Sequence, residues 1–180
     1  MGNHIELYSL KYPIGEFKAP EEVTKNDIGT WTKIIESLPG KLRKVVQNMT
    51  PVQWSTPYRP GGWQVRQLVH HLCDSHLNAY IRFKLALTED QPTIKVYDQA
   101  RWAELPDNEQ IPVEDSLDFL ELLHKRWVIL LKSMSPHDFD RQLNHPESGV
   151  HPLKIFVGLY AWHCEHHLAH VTSLIKREGW

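Results

Sequence analysis

Cysteine is scarce in this chain: there are two, Cys73 and Cys164, too few for a disulfide framework and better suited to a reducing compartment. Each lies beside a histidine cluster and could ligate a metal, yet each is offset from the neighbouring ligand position. Long apolar runs are missing as well. None approaches the ~18 consecutive apolar residues of a membrane helix, and the start Met1-Gly2-Asn3-His4 lacks the basic and apolar regions of a secretory signal. Nor does charge of one sign dominate: 20 Lys and Arg oppose 22 Asp and Glu, a net charge of −2, and the basic residues are scattered. These absences set the expectation of a cytoplasmic protein that works on a small molecule, without nucleic-acid or membrane partners.

The 180 residues, 41% of them hydrophobic, suffice for one domain over residues 1–180 with a full core. The first thirty residues carry Pro13, Gly15 and Pro20 and no helical stripe, so they read as an extended arm. A first helix is expected after Thr24, where Thr24 and Asp27 have the spacing of a capping box. Its stripe of Ile28, Trp31, Ile35, Leu38, Leu42 and Val45 is interrupted by Pro39-Gly40, which predicts a kink or a break. A second helix spans about Trp63 to Leu87, with Leu68, Leu72, Ala79, Phe83 and Ala86 on one face. Residues Thr88 to Pro112 lack a period but are too apolar for a disordered linker, so they read as an ordered crossover that could serve as a lid. A third helix covers about Glu114 to Met134, an irregular stretch follows from Pro136 to Pro152, and a fourth helix runs from about Leu153 to Lys176. The fold class is all-α: a four-helix bundle with an N-terminal arm and long ordered connections.

Histidine is what the chain has in excess. His163, His166, His167 and His170 form two interleaved i, i+4 pairs, and residues one helical turn apart can converge on one ion. The apolar stripe decides between them. His163 and His167 share a face with Phe156, Leu159, Tyr160, Val171 and Leu174, whereas His166 and His170 share theirs with Trp162, Ser173 and Arg177. A third ligand comes from the second helix, where His71 continues the face of Leu68, Leu72 and Ala79, and His70 is rotated about 100° away. Taken singly, each histidine reads as a hydrogen-bonded core residue, as do His4, His124, His137, His145 and His151. Jointly, an inward pair plus an inward histidine on another core helix points to a metal site.

The run from Gly62-Trp63 to His71-Leu72, Asp74-Ser75 and then His163 and His167 resembles the DinB-like metalloprotein superfamily. The flanking stretches Tyr12–Glu16, Pro57–Arg59, Gly61–Trp63, His70–His76, Tyr80–Thr88, His124–Trp127, His145-Pro146 and Gly179-Trp180 resemble its YfiT group. The resemblance spans almost the whole chain. It implies a four-helix bundle, a homodimer, and a divalent metal near one end, zinc first and nickel second. It places the ligands on His71, His163 and His167, and it assigns no role to Cys73 or Cys164.

Three neutral imidazoles leave at least one coordination position open. Such an ion lowers the pKa of water and polarises a carbonyl, so hydrolysis is the simplest chemistry. A general base is not identified: Glu165 falls on the face opposite His163, and Asp74 reads as a partner behind the ligands or a surface residue. The same ion stabilises a thiolate. Several relatives of this fold resemble low-molecular-weight thiol transferases using bacillithiol or mycothiol, which makes thiol S-transfer the second reading. A metal-binding module without turnover is the third. Ser75, Asn78 and Arg82 continue the polar side of the His71 face, placed to bind a polar or anionic substrate.

Overall fold

The structure is a computed structural model that describes the backbone of residues 2–180 and the side chains of residues 7–180; Met1 and the side chain of His4 lie outside the described residues. Nine helices and one hairpin follow one another among them: α1 Gly2–Lys11, α2 Lys25–Val46, α3 Pro51–Trp54, α4 Val65–Thr88, α5 Gln99–Trp102, α6 Asp107–Gln110, α7 Val113–Ser133, α8 Pro136–Asp140, β1 Gln142–His145, β2 Gly149–Pro152 and α9 Leu153–Glu178. The four long helices form the bundle in the spatial order α2, α7, α4, α9, each packed on its two ring neighbours. The successive helices α2 and α4 therefore sit diagonally across the core, as do α7 and α9.

Each long helix buries the stripe its sequence carries. Ile35, Leu38 and Leu42 of α2, Leu68, Leu72, Ala79 and Phe83 of α4, Leu120 and Trp127 of α7, and Val157, Val171 and Leu174 of α9 are all buried in one core. A fully buried side chain of this size contributes roughly 1.5–3 kcal/mol, which outweighs the helix propensities of the individual residues. Trp127 sits at the centre, with the rings of Phe83 and Tyr160 edge-on at 5.6 Å and 5.4 Å. Gly158 sets the approach of α9 to α2: a Cβ there would stand 3.0 Å from the Trp31 indole.

The capping box opens α2 as expected: the Thr24 hydroxyl accepts from the Asp27 amide, and the Asp27 carboxylate accepts from the Thr24 amide at 2.9 Å. The Thr24 hydroxyl also donates to that carboxylate, at 2.6 Å, and this bond first, with the one from the Thr24 amide, holds the Asp27 carboxyl below the usual carboxylate range. The expected break at Pro39-Gly40 does not occur, since α2 runs through both residues. Pro39 has no N–H to give the Ile35 carbonyl one turn earlier; the imidazole of His124, on α7, donates to that carbonyl instead, at 2.6 Å.

Two other stretches differ from expectation. Within the arm, residues 2–11 are helical, and the irregular path begins only at Tyr12, the residue before Pro13. No proline or glycine interrupts residues 3–12, and the residue ahead of a proline disfavours helix. The arm then lies on α9, where the Trp162 indole donates to the Gly15 carbonyl at 3.0 Å. The stretch from Pro136 to Pro152 contains the hairpin, with Gly149 at φ +87. Its strands are four residues each, too short for alternation to be read. The crossover is ordered, and the Gln67 amide bonds the Ala103 carbonyl while Arg66 bonds that of Glu109, pinning its short helices to α4.

Candidate metal centre

His71 on α4 and His163 and His167 on α9 meet between adjacent helices. One ring nitrogen from each lies within 4.8 Å of the others. The Nε2 atoms of His71 and His163 are 3.3 Å apart. Two nitrogens bound to one tetrahedral zinc at 2.0–2.1 Å are themselves separated by about 3.3 Å, so the spacing of this pair matches such an ion. His167 Nδ1 is buried and has no hydrogen-bond partner. Burial is the leading cause that pushes the His71 pKa down to about 4 and those of His163 and His167 well below the ordinary value. Neutral rings keep their lone pairs for a metal. The donor set therefore suits a borderline ion such as zinc or nickel.

A second cluster shares one member with the first. Nitrogens of His166, His167 and His170 also lie within 4.8 Å of one another, and His166 and His170 approach through their Nε2 atoms at 3.1 Å. The helical face that carries His166 and His170 was expected to look away from the core. Both are instead buried, at 8% and 3% exposure, because distant segments close over them. Tyr58 covers His170 at 4.1 Å between centroids and Tyr12 approaches His166 at 6.1 Å, while Trp162, one turn earlier on α9 itself, stacks on His166 at 4.4 Å. After burial, the Arg59 guanidinium is a further cause of the depressed His166 pKa, and it acts on His170 as well. A fixed cation at this spot disfavours a second one, so the cluster containing His71 and His163 is the better place for an ion.

Both clusters open into one cavity of about 370 Å³. Its aromatic walls come from Tyr12, Tyr58, Trp63 and Trp162, with Trp63 against the His71 ring at 4.6 Å. Lys11 and Arg59 are the charged residues among the described residues that line it, and no carboxylate does.

The other candidates fall elsewhere. His70 is buried, with Nδ1 2.8 Å from the Ser116 hydroxyl. Cys73 donates its thiol to the Ser116 carbonyl, and burial raises its pKa to about 12. Cys164 is buried and likewise pushed up. Both thiols are thus held protonated and join neither cluster. Glu165 points outward to Lys41 at 3.0 Å. Asp74 is half-buried, its carboxyl raised to about 6 by burial and by Asp107. Ser75, Asn78 and Arg82, read as substrate-facing, do not line the cavity. Arg82 donates to the Tyr160 hydroxyl and to the Lys95 carbonyl, and Asn78 donates back to its own helix.

Two buried histidines were missed as parts of the site. His76 Nε2 stands 3.0 Å from His163 Nδ1, and His76 Nδ1 stands 2.7 Å from His124 Nε2. Their only signal in the sequence is a position on the apolar face of two core helices, a signal that any buried polar residue shares.

Fold and site together define a four-helix-bundle protein with a histidine-built candidate metal centre at the floor of a cavity. The chain belongs to the DinB superfamily, which is matched over residues 34–171. It is 54% identical over 174 residues to a Bacillus cereus protein whose name proposes a metal-dependent hydrolase, covering 97% of this chain and 100% of that one. A Bacillus thuringiensis relative with a name of the same form matches at the same identity and coverage. Among solved structures, YfiT from Bacillus subtilis superposes with a TM-score of 0.93 at 47% identity, over 96% of this chain and 99% of that one. It is described as a probable metal-dependent hydrolase with an unusual four-helix bundle topology. These relatives support a metal-dependent function for this chain.

Proposed function

We propose that the protein is a metal-dependent hydrolase acting on a small molecule that carries an anionic group, with His71, His163 and His167 holding one divalent ion, zinc first and nickel second. The convergence of those three rings at the floor of the cavity carries this reading. Bound there, the ion would polarise a carbonyl and lower the pKa of water. The chain supplies the rest. Tyr58, Trp63 and Trp162 wall the substrate away from solvent, and Lys11 and Arg59 offer positive charge with no carboxylate among the described lining residues to cancel it. Arg59 Nε is buried without a partner, a donor left for an acceptor group on the substrate.

The test is a panel of esters and amides, neutral and anionic, offered to the zinc-loaded protein. Hydrolysis of the anionic members is expected. Arg59→Ala should raise their KM by about tenfold to a hundredfold, the worth of a charged hydrogen bond, with kcat little changed and neutral members unaffected. Equal effects on both sets would reject the anionic class. That no carboxylate base lines the cavity among the described residues favours one second reading, thiol S-transfer, because a thiol on a metal is deprotonated without help from the chain. Turnover of an electrophile such as monochlorobimane only when a low-molecular-weight thiol is added would replace hydrolysis with that reaction.

We carry the chain as one domain over residues 1–180 that works in the cytoplasm as a homodimer. No helix of the described residues is long and apolar enough to cross a membrane. Phe119, Leu122 and Ile129 of α7 are 44%, 63% and 62% exposed, an apolar stripe suited to a second copy. Light scattering should give about twice the 21.1 kDa of the chain; a monomer at micromolar concentration would reject the dimer.

A further inference from the structure

We propose that the Ile35 carbonyl freed by Pro39 sets the tautomers of His124, His76 and His163 in turn, so that His163 holds an unprotonated Nε2 toward His71 and His167 before any ion arrives. This rests on the reading of those three histidines as the metal centre. The relay links α2, α7, α4 and α9 through the buried rings of His124 and His76 and the part-buried ring of His163, and each of its contacts has one permitted direction.

A carbonyl oxygen only accepts, so His124 Nδ1, 2.6 Å from Ile35 O, carries the proton. A neutral ring has one N–H, so His124 Nε2 is a bare acceptor. His76 Nδ1, 2.7 Å away, must then be the donor. That leaves His76 Nε2 bare, and His163 Nδ1 donates to it at 3.0 Å. The one nitrogen of His163 left without a proton is Nε2, which stands 3.3 Å from His71 Nε2. His76 and His124 are 0% and 1% exposed, and burial lowers the pKa of both, that of His124 to about 4, so the rings stay neutral near pH 7. Reversing the series would put a bare His124 Nδ1 against a carbonyl lone pair, two acceptors in contact inside the core.

Isolated histidine favours its proton on Nε2, so all three rings are held in the less favoured form. Metal-binding histidines commonly use the second nitrogen to donate to a carboxylate or a backbone carbonyl, which fixes the ring and its tautomer. Here the backbone carbonyl acts at a distance, through two further imidazoles. His76 and His124 are positioning residues. They touch neither cavity nor substrate, and their effect on the centre passes through His163 Nδ1.

The test is long-range ¹H–¹⁵N correlation NMR on ¹⁵N-histidine-labelled full-length protein, stripped of metal and then titrated with zinc. In the metal-free wild type, His124, His76 and His163 are expected to show protonated Nδ1 and bare Nε2. His124→Leu removes the fixed acceptor for His76. His76 is then free to turn its proton to Nε2, and the His163 signature should move toward protonated Nε2, with zinc affinity down about tenfold to a hundredfold. In His124→Gln the amide donates to Ile35 O and accepts from His76, so the wild-type His163 tautomer and affinity should return. Side-chain bulk alone would not separate the two variants in this way. A protonated His163 Nε2 in the metal-free wild type overturns the proposal, and that measurement decides it even if His124→Leu fails to fold. So does an unchanged His163 tautomer in a folded His124→Leu. No zinc uptake by a protein with the expected tautomers would remove the metal centre and leave the relay standing.

Discussion

Zinc added to metal-free protein is expected to raise the melting temperature by roughly 10 °C when free zinc stands a thousandfold above its dissociation constant. His71→Ala and His163→Ala are expected to abolish the rise. Binding at that saturation adds about 4 kcal/mol to stability, and in a chain of this length each kcal/mol moves the midpoint by about 2–4 °C. The two clusters make opposite predictions. They share His167, so His167→Ala removes a ligand from either. If the ion is held by His71 and His163, then His166→Ala and His170→Ala keep both the shift and about one equivalent of zinc by elemental analysis. If it is held by His166 and His170, those variants lose it and His71→Ala does not. The Arg59 charge near the second cluster and the bare His163 Nε2 facing the first both favour the former outcome. Zinc retained in His71→Ala and His163→Ala alike would end the assignment.

How much of this was legible in the sequence depended on whether a cause was local. The four long helices follow from stripes written every three or four residues, and the cap at Thr24 from two residues three apart. The selection of His71, His163 and His167 used the same local information, since a stripe tells which way a helix faces. What stayed hidden was set by residues far along the chain. Pro39 reads as a breaker because the donor that replaces its missing N–H, His124, lies 89 residues from the Ile35 carbonyl. His166 and His170 read as outward because Tyr12 and Tyr58, which help bury them, belong to other segments. His124 read as an ordinary core histidine and His76 was given no role; only the packing of α4 on α7 brings their ring nitrogens to 2.7 Å. Sequence periodicity gives the direction in which a side chain points, not the identity of what it meets.

The same buried rings imply a steep loss of stability in mild acid. The metal-free protein is expected to lose at least about 3 kcal/mol of unfolding free energy per pH unit below pH 6.5, for a fall in urea midpoint of roughly 1 M per unit or more. The sign follows from linkage. His71 and His124 have pKa values of about 4 in the fold, against an ordinary 6.5 when unfolded. Their contribution is complete above the unfolded value and disappears as pH falls toward the folded one, because the unfolded chain binds the additional protons. Two such groups supply about 1.4 kcal/mol each per pH unit, and His76, His163 and His167, all depressed by burial, act in the same direction. Asp74 opposes them. Its raised pKa makes the fold relatively more favourable as pH falls through about 6, but it is a single, partly solvated group and is outnumbered. Total stability of a domain is typically about 5–15 kcal/mol, so two pH units remove much of it, and unfolding is expected between pH 6 and 4. Urea titrations in chelator from pH 8 to 4.5 measure the slope directly. His124→Gln, which removes one titrating ring and keeps the polar contacts, should reduce it by about 1.4 kcal/mol per pH unit. A urea midpoint that is flat down to pH 4.5 would mean that these histidines are solvated, and that the closed histidine core between α4, α7 and α9 does not exist in solution.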